Sequence, residues 1–208
     1  MRLARSTFAL ALLLAPVAQG QQRGAPPATP GAQPAGRGGG GRGGVQVMTL
    51  ATTAWADGSS IPIKYTQAGD QASPPLSWSS VPEGVASFVL LVHDVDAVAG
   101  NGTDDILHWL VWNIPGAVRS LPERVPQAPQ MPDGMRQISA TGPSYRGPGA
   151  SSAGPAHHYM FELFALDVAS LDVPAVGASP AQTRAAVAAS MAGHVRGKAV
   201  YVGLFKRG

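Results

Sequence analysis

The chain has 208 residues with no cysteine, 26 glycines and 19 prolines, and only 13% of it is charged, which suits one ordinary domain with an added segment. Without cysteine there is no disulfide framework, cysteine-ligated zinc, iron–sulfur cluster or thiol nucleophile, so any chemistry falls to His, Asp, Glu, Ser or Tyr. The formal net charge of +3 misleads: Arg2, Arg5, Arg23, Arg37 and Arg42 precede residue 45 and every acidic residue follows it, leaving ten basic against twelve acidic side chains, so a basic nucleic-acid-binding face is excluded.

Residues 1–20 carry Arg2 and Arg5, then the apolar run Phe8 to Ala15, then Pro16-Val-Ala-Gln-Gly20. This is the order of a secretory signal peptide, with small residues at Ala18 and Gly20 for cleavage, and the run is too short for stable membrane insertion. The mature protein is therefore expected in the periplasm or secreted. Residues 21–44 hold nine Gly and four Pro and no long apolar side chain, so they are expected to be a disordered Gly/Pro/Arg-rich linker. Its Gly36 to Gly44 stretch has two arginines and no aromatic, too little for RNA binding.

Residues 45–208 form the expected domain. Val45 to Ala54 and Ile61 to Thr66 alternate with the period of half-buried strands, with Asp57-Gly58 as the turn between them, and are expected to pair. Ser87 to His93, Ile106 to Ile114 and Tyr159 to Leu166 are denser apolar runs that suit central strands. One helix is announced: Ser179 as cap, Pro180 in the first turn, good helix formers from Ala181 to Ala192, and Gly193 as the stop. Lys198 to Phe205 is a closing strand. Many strands and Pro-rich loops with one late helix predict an all-β fold, mainly an antiparallel β-sandwich, with a peripheral C-terminal helix.

Three polar clusters adjoin the central strands: His93-Asp94-Val95-Asp96, His108 between apolar neighbours, and His157-His158-Tyr159. Polar groups at the ends of buried strands must be paired or meet a ligand. Alternation puts His108 on a face with Ile106, Leu110 and Trp112, and His157 with Tyr159, with His158 opposite. Asp94, His108, His157 and Tyr159 would together suit a phosphate or carboxylate, with Gly147 and Gly149 letting backbone approach closely. Asp96 is expected to turn the chain through an Asx-type bond.

The ordered set Asp94-Val-Asp-Ala97, His108-Trp-Leu-Val-Trp-Asn-Ile-Pro115, Tyr145-Arg-Gly-Pro-Gly149 and His157-His-Tyr159 resembles the phosphatidylethanolamine-binding proteins, in particular their bacterial, Raf-kinase-inhibitor-like branch. Asp57-Gly58, Ser73-Pro-Pro-Leu-Ser-Trp78, Val81-Pro-Glu-Gly84, Leu121-Pro122 and Ala165-Leu-Asp167 extend the likeness over roughly residues 47–206. The resemblance implies a β-sandwich with a small anion pocket for phosphate, phosphoethanolamine or a phospholipid head group. Matched motif by motif, it gives Asp94, His108, His157 and Tyr159 as pocket residues, and it also implies a homodimer. The chain departs from the family pattern where Val95 and Val98 replace prolines, where Gly149-Ala-Ser-Ser152 replaces a Pro-rich loop, and where His158 replaces an arginine.

The expected function is a binding module for a small anion, working without a cofactor or metal and acting on a partner protein through its bound state. His108, His157 and Tyr159 are expected to donate to the anion, and Asp94 to orient a histidine or receive an ammonium group. Two alternatives stay open: a peptidase inhibitor, or a small-molecule hydrolase or lyase using an Asp–His pair in the same pocket. For the hydrolase, Gly142-Pro-Ser-Tyr-Arg146 fails as a nucleophile elbow at its last position. For a metal, Asp94, His108 and His157 would be a two-His, one-carboxylate set, but no short-range His pattern accompanies them.

Overall fold

The computed structural model describes residues 44–208. The expected signal peptide of residues 1–20 and nearly all of the expected linker lie outside the described residues. Ten strands, a single turn of 3-10 helix and one α-helix follow in chain order. They are β1 (Gln46–Val47), β2 (Thr49–Ala51), β3 (Ser59–Ser60), the 3-10 turn (Ile63–Tyr65), β4 (Leu76–Ser79), β5 (Ser87–Ala99), β6 (Asp104–Pro115), β7 (Ser120–Leu121), β8 (Arg136–Ile138), β9 (His157–Leu166), α1 (Pro180–Met191) and β10 (Val195–Phe205).

The larger sheet runs β1-β10-β9-β5-β6-β8, with β3 also paired to β10, and the smaller sheet runs β2-β4-β7. The long strands pair antiparallel, and the short β1 and β3 join β10 in parallel. One face of the larger sheet presents Phe88, Leu90, Val92, Trp109, Val111, Phe161 and Leu163, which share a core with Leu50, Leu76, Trp78 and Leu121 of the smaller sheet. The other face presents Val89, Leu110, Trp112 and Leu166, covered in part by Val187 and Met191 of α1. The period of two in β5 and β9 sorts these residues between the two faces, and the structure is the all-β sandwich with a C-terminal helix.

The helix starts as its sequence predicts. Ser179 Oγ accepts from the Gln182 amide and Gln182 Oε1 accepts from the Ser179 amide, a reciprocal cap, with Pro180 leading the first turn. Gly193, at φ +83°, follows the last turn.

Two expectations fail in the first third of the domain. Val45 to Ala54 is not one strand: it breaks at Met48, whose amide donates to Lys198, and the chain passes from the larger sheet (β1) to the smaller (β2). Ile61 to Thr66 does not pair with it. Pro62 leads instead into the 3-10 turn, where Tyr65 and Thr66 donate back to Pro62 and Ile63, because proline has no amide to give a ladder. The short strands β4, β7 and β8 carry too few residues for periodicity to reveal.

Candidate ligand-binding cleft

The register Asp94↔Tyr159 and Asp94↔Ile106 brings β5, β9 and β6 together at one end of the larger sheet. A cleft of about 200 Å³ opens there, lined by Asp94, His108, Arg146, Gly149, His157 and Tyr159, with Gln67, Ala97, Ile106, Ala150 and Ser151 completing its wall. Five of the six expected residues therefore meet. Gly147 packs behind the wall: a Cβ there would lie 2.7 Å from the Tyr65 carbonyl oxygen, and its own carbonyl accepts from Gln67 Nε2 at 2.8 Å. A Cβ on Gly149 would come within 2.4 Å of the Gln67 amide. The close approach these glycines permit is thus to the segment 65–67 of the same chain, which braces the wall.

His108 reaches the cleft through a β-bulge. Val92 pairs with Trp109 but His93 pairs with Leu107, so β6 holds one extra residue at this point. The bulge puts His108 on the side of Trp109, its ring meeting that of Tyr159 edge-on at 5.0 Å between centroids, and not on the side of Leu110 and Trp112 as alternation predicts. Its Nδ1 lies 2.8 Å from the Arg146 carbonyl oxygen. A carbonyl only accepts, so Nδ1 carries the proton and Nε2 is left for a ligand. Burial pushes the ring below the ordinary histidine value of 6.5 and the Arg146 charge adds to this, against the pull of the Arg146 carbonyl and of Asp94. A neutral ring with the proton on Nδ1 offers a lone pair at Nε2, which differs from the donor role expected of it.

Asp94 is buried and organises the site in two ways. Its Oδ1 accepts from the amides of Asp96 and Ala97 at 3.1 Å, the Asx-type turn that had been expected of Asp96. Its carboxylate also accepts from His157 Nδ1, at 2.9 Å to Oδ2, so His157 Nε2 carries a proton only when the ring is charged. Asp96 instead clamps His158, accepting from its amide at 2.6 Å and its Nδ1 at 2.8 Å, and these bonds hold the Asp96 carboxyl below the usual range.

The Tyr159 hydroxyl accepts from the amides of Gly149 and Ala150, each at 3.2 Å, which ties the 146–151 segment to β9. Burial first, then the Asp94 charge, raises its pKa, so it remains a phenol with one proton to give. Arg146, quoted within a motif but given no role by the sequence, stands in the wall, and so does Gln67, which the 3-10 turn delivers; nothing local in the sequence marks Gln67. Among the described residues no group of three or more metal-ligating side chains is placed to hold an ion.

Fold and cleft define a class: two stacked sheets carrying a small polar site at the end of the larger one. The family model for phosphatidylethanolamine-binding protein matches residues 51–206. A UPF0098 protein of Methanothermobacter thermautotrophicus is 40% identical over 163 residues, which is 77% of this chain and 100% of its own. YbhB of Escherichia coli, another UPF0098 protein, is 36% identical over 136 residues, 61% of this chain and 82% of its own. Among solved structures, a phosphatidylethanolamine-binding protein homologue of Chlamydia trachomatis superposes with a TM-score of 0.63 at 30% identity, covering 78% of this chain and 99% of that one. YbcL of Escherichia coli gives the same TM-score at 23% identity, a likeness of fold alone. The chain belongs to the phosphatidylethanolamine-binding protein family and is of the type that includes YbhB.

Proposed function

We propose that the cleft reversibly binds a small phosphoryl group, either free or as the head group of a larger molecule, and that the protein is a binding module and not a catalyst. The observation that carries this reading is the convergence of Asp94, His108, His157 and Tyr159 from three strands onto one cleft of about 200 Å³. Their roles follow from their bonds. Tyr159 gives its hydroxyl proton to the ligand, and His157, steadied by Asp94, gives one from Nε2 when charged. His108 accepts one at Nε2 from a protonated phosphoryl oxygen or an ammonium group. The reading includes export through residues 1–20 and leaves the chain before residue 45 with no part in binding.

Titration calorimetry of the full chain with phosphoethanolamine tests this. Binding should weaken at least tenfold in His157→Ala and be indifferent to EDTA, since one charge-assisted bond and the ordering of Asp94 are lost. Absence of binding in the wild-type chain, or equal binding in the variant, overturns the reading. Release of a new product during the titration would favour the Asp–His acid–base alternative.

A further inference from the structure

Among the described residues that line the cleft, the ionisable side chains are Asp94, His108, Arg146, His157 and Tyr159. Tyr159 stays a phenol and His108 is a neutral ring with its proton on Nδ1. Asp94 brings a negative charge into the wall, and His157, when charged, does no more than cancel it. A phosphoryl anion entering that set would meet no net attraction without Arg146. Among the described residues the Arg146 guanidinium has neither a hydrogen bond nor an ion pair, although its backbone is fixed on both sides: its amide donates to His108 and its carbonyl accepts from the His108 ring.

The side chain also stands where a ligand would need it. Arg146 and Ile106 line both this cleft and an adjoining groove of about 840 Å³ between the β5–β6 hairpin and α1, so Arg146 forms the ridge between the two. Its charge is near enough to the His108 ring to help hold that ring below the ordinary histidine value. A half-buried cation beside a bound anion is a stronger anchor than a surface cation, because less water screens it. The planar guanidinium can hold two phosphoryl oxygens at once.

We propose that Arg146 is the cationic anchor of the phosphoryl site and that, together with the lone pair on His108 Nε2, it selects a phosphate monoester or free phosphate over a phosphate diester. This inference rests on the phosphoryl-binding reading above. The lone pair calls for a ligand hydrogen. A singly charged monoester keeps one P–O–H and free phosphate keeps at least one at neutral pH, whereas a diester has none, and one with no ammonium or hydroxyl group of its own would set a bare oxygen against the lone pair. Arg146 then balances the remaining charge that Asp94 would repel.

The test titrates the full chain, wild type, Arg146→Gln and Arg146→Lys, with phosphoethanolamine, inorganic phosphate and dimethyl phosphate, the last being a diester with neither an ammonium group nor a hydroxyl to give. Wild type should prefer the first two over the diester by tenfold or more. Arg146→Gln should weaken phosphoethanolamine binding about ten- to a hundredfold, the span of a hydrogen bond to a charged group. Arg146→Lys should recover part of the loss. Thermal unfolding should be unchanged in both variants, since the guanidinium has no partner in the fold. Monoester affinity should fall as pH rises above about 6, where the phosphoryl group loses its last proton, and this fall should persist in Arg146→Gln. Unaltered affinity in Arg146→Gln overturns the anchor, and equal diester and monoester affinity overturns the selectivity, each with the phosphoryl reading intact. If wild type binds none of the three, that reading falls and this one with it.

Discussion

Gln137 is 1% exposed, and its amide serves three partners at once. Its Oε1 accepts from Trp109 Nε1 at 2.8 Å, and its Nε2 donates to the carbonyls of Pro126 at 2.6 Å and Ala128 at 2.9 Å. Gln137→Leu keeps the approximate volume but strands an indole N–H and two carbonyls away from water. The expected loss is about 3 kcal/mol, read as a lower urea midpoint with an unchanged slope. A loss below about 1 kcal/mol would mean that water reaches the vacated groups. Residues of this kind were invisible in the sequence, because a glutamine between Arg136 and Ile138 looks like any polar position on a short strand. The site residues were easier: His108 among apolar neighbours and His157 before a buried run are out of place unless they do something. Arg146 and Gln67 sit in loops, where polar side chains need no explanation, so only the folded chain shows what they face.

At the scale of elements, β5, β6 and α1 are joined on the face away from the cleft by a cluster that the sequence left without a role. His93 Nδ1 lies 2.5 Å from Asp105 Oδ2 of β6, which is also ion-paired to Arg184 of α1. His93 Nε2 lies 3.3 Å from Glu162 Oε2 of β9, a pair too oblique to count as a hydrogen bond, and Glu162 is held in turn by Lys198 of β10 at 2.5 Å. Burial alone would lower the His93 pKa, but the two carboxylates outweigh it and raise the ring above its ordinary 6.5. The cluster's stabilisation through His93 is therefore complete below 6.5 and is lost as pH rises through the folded value. Glu162, pushed down to about 2 by His93 first and then by Lys198, contributes stability above its ordinary 4.5 and loses it as pH falls toward 2. Stability from this cluster should peak between those limits. Urea midpoints at pH 5.5 and 8.5 check it: wild type should lose stability on going to 8.5, and His93→Gln should lose less. Equal losses would show that the histidine stays neutral between its carboxylates. Alternation placed His157 with Tyr159, and both line the cleft. It misplaced His108 relative to Leu110, because a bulge shifts the count and no residue in β6 announces one.

Over the whole molecule, the two ends of the domain hold each other. β1 runs parallel to β10 with Gln46↔Gly197 and Val47↔Lys198, and two residues later β2 has joined the smaller sheet with Leu50↔Trp78. Residues 46–51 thus fasten one sheet to the other across the core, with Met48 and Leu50 both buried in it. A strand that changes sheets is hard to read in sequence, since its alternation continues while its partners change. The expected boundary at residue 45 rests on something else, the end of a Gly-rich stretch with no long apolar side chain to bury. That expectation and the burial of β2 predict opposite results for two truncations. A chain starting at Val45 should unfold at the temperature of the full chain and bind phosphoethanolamine equally well, as expected of a signal peptide and a Gly-rich linker that lack a part in the core. A chain starting at Thr53 loses β1, β2 and the burial of Met48 and Leu50, which at about 1.5 to 3 kcal/mol per buried side chain is a loss of about 3 to 6 kcal/mol, a large part of the stability of a domain this size. Thermal unfolding of both chains beside the full one decides the matter. Similar midpoints for all three would show that β10 and β4 hold their sheets together without the N-terminal strands, and a lowered midpoint for the chain starting at Val45 would put residues before it into the fold.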